Sequence, residues 1–456
     1  MQRRLRVRPL VLAAALLCAP AAVALHAQAA GDPALTKLEQ RVARDPNSAK
    51  AQRALGVKYF ELKRFGEAKA ALDKARAMDP KDGVSALYAG MSAEALNDFA
   101  GARDAYSKYL EVGKSKATKK QINERLVAMA RDELKAQAKQ AVANEARLRG
   151  VQSPSTTVAV LPFHCACTDT ALKPLERGMA DLVVTDLARA SALKVLERDR
   201  MQAIVDEIKL SQTAQADPAT ATRAGKLIAA GSILTGQIVA GGGTQMNLAG
   251  AVVNTTTSQP TATPTADGTI NAIFDTERKF VLDVFREMNV TLTPDEAKAF
   301  EQRRVPSFQA FLAYSRGLMA EDDGRLDDAI ALFESARSLD PGFGAALQRA
   351  QSAAAAKNGA QVSSASVQQG LKNTSEGQVV SAAQRGSTTD VTINLTLNNV
   401  VGDVNPTLTN TVQNGTSGGA NTSTNTPQNR DATADATGTD QPAQKTGQIT
   451  IVIKKP

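Results

Sequence analysis

The sequence predicts a multidomain protein in which α-helical hairpins flank an α/β domain and a disordered C-terminal tail follows. Three observations indicate this arrangement. Small residues and a proline recur at fixed intervals on both sides of the middle of the chain. The middle itself alternates short apolar runs with stretches of helical periodicity. Beyond Asn358 the composition shifts to Ser, Thr, Asn, Gln and Gly. The length of 456 residues is enough for about three domains.

Residues 1–30 have the pattern of an export signal. Four arginines between Arg3 and Arg8 precede the apolar run Leu10–Leu25, and the small-x-small sequence Ala27–Ala29 suits signal peptidase. Removal takes four positive charges and no negative ones, so the formal net charge falls from +8 to about +4. No later apolar run approaches the roughly 18 to 20 residues that a spanning helix needs. The sequence therefore predicts an exported protein without a transmembrane helix.

Residues 33–113 contain a repeat. Gly56, Ala68 and Pro80 are spaced by twelve residues, and Gly90 and Ala102 recur 34 residues after the first two. Small residues at such positions let two helices approach closely, so each copy is predicted to be a helical hairpin. Together with Leu55, Tyr59 and Ala75, the pattern resembles the tetratricopeptide repeat, whose period is about 34 residues.

The same pattern returns in residues 305–357. Gly317, Ala329 and Pro341 keep the twelve-residue spacing, and Phe343–Lys357 is predicted to be a capping helix. Between the two sets, residues 114–150 form a charged, alanine-rich helical stretch with about ten basic and four acidic residues. Such charge can bind anionic lipid or nucleic acid. A solvated face is favoured because no aromatic residue is interleaved, so the stretch is predicted to be a spacer helix.

Residues 155–304 are predicted to form a mixed α/β domain, because short apolar runs alternate with helical periodicity. Strands are expected at Thr157–Phe163, Leu193–Leu196, Ser232–Val239 and Gln245–Asn254, and helices at Leu172–Ser191, Asp199–Leu210 and Pro218–Ala229.

Many residues of this domain resemble the CsgG curli-secretion family. They are Leu196–Arg198, Met201, Ile204, Glu207, Gln212, Asp217–Thr220, Gly225–Leu227, Ala230 and Gly236–Ile238. The resemblance covers about Val158 to Val290. It implies an α/β domain that faces the periplasm of Gram-negative bacteria, often in rings, and serves fibre export or envelope assembly.

Channel members of that family insert β-hairpins into the outer membrane, and each spanning strand needs about 9 to 11 residues with aromatic girdles. In this sequence only Gly241–Gly243 separates two ordinary strands after Val239. The five tyrosines all lie in the helical repeats, and tryptophan is absent. A soluble relative is therefore favoured over a pore.

The one constellation with potential chemistry is His164-Cys165-Ala166-Cys167. Two thiolates and an imidazole can bind Zn²⁺ or Cu(I), whereas an oxidising compartment favours a disulfide between Cys165 and Cys167. The disulfide is preferred, and neither a metal nor a cofactor is predicted. Phosphate-binding and hydrolase motifs are missing, and only one histidine remains after removal of the signal. The sequence therefore predicts a protein that is not an enzyme.

Residues 358–456 are predicted to be disordered, because they have too little apolar surface to offset the entropy of ordering. Two islands, Val391–Leu397 and Gln448–Lys454, alternate with period two. Either can add as an edge strand to the sheet of a partner. Marginal strands on a flexible tail are the simpler interpretation.

These features predict a non-enzymatic adaptor in the periplasm of a Gram-negative-type bacterium, peripherally associated with the outer membrane. Its expected partners are envelope proteins, with self-association as a further option and no nucleic acid. The repeat register places the partner-binding groove at Lys50, Arg53, Val57, Phe60, Met91 and Glu94. These side chains can equally pack against the spacer helix. The alternative functions are a CsgG-type secretion channel subunit and a regulator of cell-wall synthesis.

Overall fold

The computed structural model describes residues 32–148, 152–209, 218–241 and 243–388. The predicted export signal and the two islands, Val391–Leu397 and Gln448–Lys454, lie outside these residues. Within the described ranges, no helix combines the length and the apolar character that crossing a membrane requires.

The N-terminal region consists of consecutive helices that pack on one another. They are α1 (Pro33–Arg44), α2 (Ala49–Glu61), α3 (Phe65–Met78), α4 (Gly83–Ala95) and α5 (Phe99–Val112). Side-chain oxygens cap most of their N-termini, as Asp82 does for Val84 N at 3.1 Å. Gly56 lies against Leu72, and Gly90 lies against the Tyr106 ring, so a side chain at either glycine would collide with the next helix. The recurring glycines therefore mark helix contacts.

The C-terminal region is also helical and extends further than the composition predicts. It contains α13 (Phe308–Asp322), α14 (Leu326–Leu339), α15 (Gly344–Ala360), α16 (Ser364–Leu371) and α17 (Ser375–Gln384). The prediction of disorder from residue 358 is thus wrong for residues 358–388. Ser363 and Thr374 cap the last two helices, and Leu371 and Val380 enter the core of the N-terminal helices. Burial against distant helices supplies the stabilisation that the segment lacks on its own.

Helix α6 (Lys116–Ala143) joins the two helical regions, and the short α7 (Glu145–Leu148) follows it. Helix α6 packs most extensively on α15, and it also contacts α5 and α16. Ile122 and Met129 are buried in the N-terminal core, so one side of α6 is packed, whereas most of its other residues are exposed or half-buried. One continuous helical array therefore runs from α1 through α6 and α15 to α13.

Small residues on α15 allow it to pack closely on two sides. Ala346, Ala350 and Ala353 are buried in the core that contains α13 and α14. Gly359 is also buried, and a Cβ there would overlap the backbone carbonyl of Glu124 on α6. Because α15 packs along α6, it is an internal element of the array, and the prediction that Phe343–Lys357 caps the end is corrected.

The α/β domain is inserted between α7 and α13. Its strands are β1 (Thr157–Val160), β2 (His164–Cys167), β3 (Lys194–Val195), β4 (Ser232–Ala240), β5 (Gln245–Asn254), β6 (Pro260–Ala262) and β7 (Thr265–Thr269). Its helices are α8 (Leu175–Leu187), α9 (Arg198–Glu207), α10 (Pro218–Leu227), α11 (Ile273–Glu287) and α12 (Pro294–Glu301).

The strands form one mixed sheet in the order β3-β1-β4-β5-β6, with β2 beside β4 and β7 beside β5. Strand β4 is parallel to β1 and β2 and antiparallel to β5. Alternate residues point to opposite faces of a strand, so Val158 and Val160 join the core shared with α8 and α11. Ala159 and Leu161 join the core shared with α9 and α10. The mixed α/β prediction is confirmed by this layered sheet.

A buried ion cluster fixes the α/β domain to the C-terminal helices. The Arg198 Nη1 atom on α9 lies 2.9 Å from Asp322 Oδ1 on α13, and Arg177 Nε on α8 lies 3.0 Å from Asp322 Oδ2. Arg349 Nη1 on α15 lies 3.1 Å from Asp199 Oδ2. Burial raises the pKa of Asp322, although the two arginines oppose that shift. Removal of one partner would leave a buried charge uncompensated, so the cluster holds the two regions together.

The close approach of α6 and α15 predicts contrasting effects of two alanine substitutions in α15. Gly359→Ala introduces a methyl group against the Glu124 backbone and should lower the free energy of unfolding by about 1–3 kcal/mol. Gly344→Ala is the matched control, because a Cβ at that helical position meets no atom within 4 Å. It should be neutral or stabilising by up to about 1 kcal/mol. Denaturant unfolding of both variants checks this, and equal stability would refute the packing.

Candidate partner-binding site

The side of α2 and α4 against which α17 packs is called the inner face here. The structure buries four of the predicted groove residues, which are Arg53, Val57, Phe60 and Met91. Glu94 is half-buried and accepts hydrogen bonds from Arg125 Nε on α6 and from the Tyr106 hydroxyl, both at 2.7 Å. Lys50 alone of the six is exposed.

The prediction of an open groove lined by these six side chains is therefore corrected. Arg53 Nη1 lies 3.2 Å from Asp82 Oδ2 within the helical core, and the Phe60 ring packs edge-on against Tyr88. The alternative interpretation, in which these side chains pack against the spacer helix, applies to Glu94, because Glu94 contacts Arg125 of α6. The repeat spacing does not reveal that α17 packs on α2 and α4, or that Arg125 of α6 binds Glu94.

A carboxylate site lies where the N-terminus of α17 meets the turn between α5 and α6. Glu376 is 5% exposed, and its oxygens accept hydrogen bonds from the Tyr109 hydroxyl and from the backbone amides of Lys114 and Ser115, each at 3.1 Å. Ser115 is the N-cap of α6, where the helix dipole favours a negative charge. Burial and the nearby carboxylate raise the pKa of Tyr109, so its hydroxyl remains a donor. Three converging donors thus hold one buried carboxylate.

The other end of α17 meets a cation. The Lys58 Nζ atom on α2 donates to the carbonyl oxygen of Gln384, the last residue of α17, at 3.4 Å. The same ammonium lies 2.7 Å from Asp32 Oδ2 and 3.1 Å from Glu61 Oε2. Burial opposes the charge of Lys58, but the hydrogen bonds to the two acids outweigh it and raise its pKa. The helix α17 therefore has a carboxylate in its first turn and an ammonium at its C-terminus, and both charges match the polarity of its dipole.

A second candidate site is the cysteine pair on β2. Cys165 and Cys167 form a disulfide, with their Cα atoms 5.1 Å apart. The backbone amide of Cys165 donates to Glu176 Oε1 at 2.9 Å, and the His164 Nδ1 atom lies 4.0 Å from the same oxygen. In the described part of the chain, no group of three or more His, Cys, Asp or Glu side chains is arranged to hold a metal ion. The pair has the bonding that an oxidising compartment favours.

The family model of the curli production assembly/transport component CsgG matches residues 136–261. The matched CsgG range is just over a quarter of the chain and begins inside α6, whose Ala138 packs into the core of α9 and α10. It ends in β6, before α11, whereas the sequence resemblance extends to Val290. No curated protein matches the chain.

Sequence reasoning found the CsgG-type domain but missed Glu376, Tyr109 and Lys58. The signal for Glu376 was present, because Thr374 is a good N-cap and Val380 and Ala383 follow at helical spacing. The surrounding Ser, Gln and Gly residues, which are typical of disorder, concealed it. Tyr109 and Lys58 could only be assigned once the position of α17 was known.

The carboxylate site predicts a large effect of one substitution in α17. Glu376→Ala leaves the Tyr109 hydroxyl and two backbone amides without their acceptor, so the free energy of unfolding should fall by about 2–3 kcal/mol. The neighbouring Ser375 is exposed, and Ser375→Ala should stay within about 0.5 kcal/mol of wild type. Thermal and denaturant unfolding measure both. If the two variants match, Glu376 does not hold α17 in place.

Because Cys165 and Cys167 form a disulfide, both cysteines should resist alkylation until a reductant is added. Replacement of Cys165 and Cys167 by serine should cost less than about 2 kcal/mol, because cross-linking so short a loop removes little entropy from the unfolded chain. Mass spectrometry after alkylation and thermal unfolding of the double variant provide the measurements. Stoichiometric zinc or copper in the purified protein, together with a severe loss of stability in the variant, would contradict this account.

Proposed function

We propose that the protein is a non-enzymatic adaptor of an envelope or curli-like fibre export assembly, located in the periplasm and peripherally associated with the outer membrane. The observation that carries the proposal is the CsgG family match over residues 136–261. The description of that family names the assembly and transport of curli. The α/β domain is therefore the part that docks on such an assembly. The regulator of cell-wall synthesis that the sequence leaves open has no further observation in its favour.

The helical array supplies the second half of the proposal. Its paired helices, with Gly56 and Gly90 at close helix contacts, support an assignment to tetratricopeptide repeats. Arrays of this type bind peptide segments on their concave side. The inner face of α2 and α4 is the corresponding surface, and protein partners of the adaptor bind there.

The junction between the two parts suits an adaptor. Helix α6 contributes to the core of the array through Ile122 and to the core of the α/β domain through Ala138. The Arg198–Asp322 pair, 2.9 Å apart, adds a second connection through α13. A partner on the inner face is therefore held in a fixed position relative to an assembly docked on the α/β domain.

Fractionation of cells that produce the protein tests the proposal against the channel alternative. An adaptor should be released from the envelope without detergent or by high salt, because peripheral contacts are polar and screened by ions. Loss of fibre export in a strain without the protein, restored by the wild-type gene, should accompany this release. The channel subunit is the better assignment if detergent alone extracts the protein and reconstituted vesicles leak.

A further inference from the structure

The C-terminal segment of the described chain occupies the inner face as a peptide ligand would. Helix α17 packs along α2 and α4, and residues 361–363 separate its partner α16 from the array helix α15. Val380 and Ala383 enter the core beneath, while Glu376 and Gln384 make the polar contacts at the two ends. These four residues belong to a ten-residue helix, and α16 adds Gln368, whose side-chain amide is 3.5 Å from the Tyr88 hydroxyl on α4.

The residues of α17 that contact the inner face are regularly spaced. Glu376 and Val380 are four residues apart, and Ala383 is three further, so the three side chains lie on one face of α17. The carboxylate must stand in the first turn of the helix, because its donors belong to Tyr109 and to the start of α6. Gly83 is required below it, since a Cβ there would come within 2.7 Å of Glu376 Oε1. The face therefore selects a helix with a glutamate in its first turn, an aliphatic residue at the fourth position after it and a small one at the seventh.

The contact between α17 and the inner face involves few apolar side chains. Among the ten residues of α17, the apolar side chains are two valines and two alanines, and Val379 is only partly buried. The helix stays in place because its tether to α15 gives it a high effective concentration. A partner segment with the same glutamate pattern can therefore compete for the face once its concentration or its affinity is sufficient.

We infer that the inner face is a recognition site for a partner helix with a first-turn glutamate and the i, i+4, i+7 pattern of Glu376, Val380 and Ala383, and that α17 occupies this site in cis. The inference deepens the proposed adaptor function and rests on it. The partner displaces α17 without unfolding the array, since α2 and α4 also pack on α3 and α5. Binding at the inner face then releases the C-terminal segment.

A labelled peptide tests the inference on the full-length chain. The probe is the synthetic peptide of residues 372–388, and the control probe is the same peptide with Glu376→Ala. In fluorescence anisotropy, the full-length Glu376→Ala chain should bind the wild-type peptide at least ten-fold more tightly than the wild-type chain does, because its own α17 is loosened. The control peptide should bind that chain at least ten-fold more weakly than the wild-type peptide.

Val380→Ser in the full-length chain is the second way to loosen α17, and it serves if circular dichroism shows that the first variant is unfolded. No binding to either folded variant, or equal binding of the two peptides, would overturn the inference. A wild-type dimer in light scattering that becomes monomeric in these variants would also overturn it, since the occupant would then be α17 of a second copy. None of these three outcomes affects the fractionation result, so a failure here is distinguishable from failure of the adaptor proposal.

Discussion

The fold depends on the packing of two helices, α6 and α15, that are more than 200 residues apart in sequence. Their contact is close at Gly359, which lies beside the Glu124 backbone and leaves no room for a Cβ, while Ala346, Ala350 and Ala353 of α15 are buried in the core that contains α13 and α14. This contact brings the C-terminal helices next to the N-terminal ones. It also orients α6 so that its second half can complete the core of the CsgG-type domain.

The sequence predicted much of this architecture from local patterns. The twelve-residue spacing of Gly56 and Ala68 located helix contacts, and the apolar runs located the strands β1, β4 and β5. The family resemblance of the middle domain was confirmed by the match to residues 136–261. The helix contacts and the β4–β5 pair join elements that are near in sequence, and the apolar run of β1 reflects burial on both faces of the sheet.

The errors concern contacts between elements that are distant in sequence. The ten basic residues of the spacer region predict a solvated face, but they give no sign that Ile122 and Met129 on another side of the helix are buried in the N-terminal core. The polar composition after Asn358 predicts disorder, but Val380 and Glu376 find their partners on helices near the other end of the chain. Four of the six predicted groove residues are buried within the helical array, whereas Lys50 is exposed. In each case a long-range contact decides the outcome, and periodicity in a single sequence carries no information about such contacts.

Residues 375–384 fold as a helix on the inner face of α2 and α4. Hydrogen exchange of the full-length protein, read by mass spectrometry, tests this packing most directly. We expect the amides of α17 to exchange many-fold more slowly than those of an unstructured peptide of the same sequence. Exchange of α17 at the unstructured rate, with α2 and α4 still protected, would contradict it.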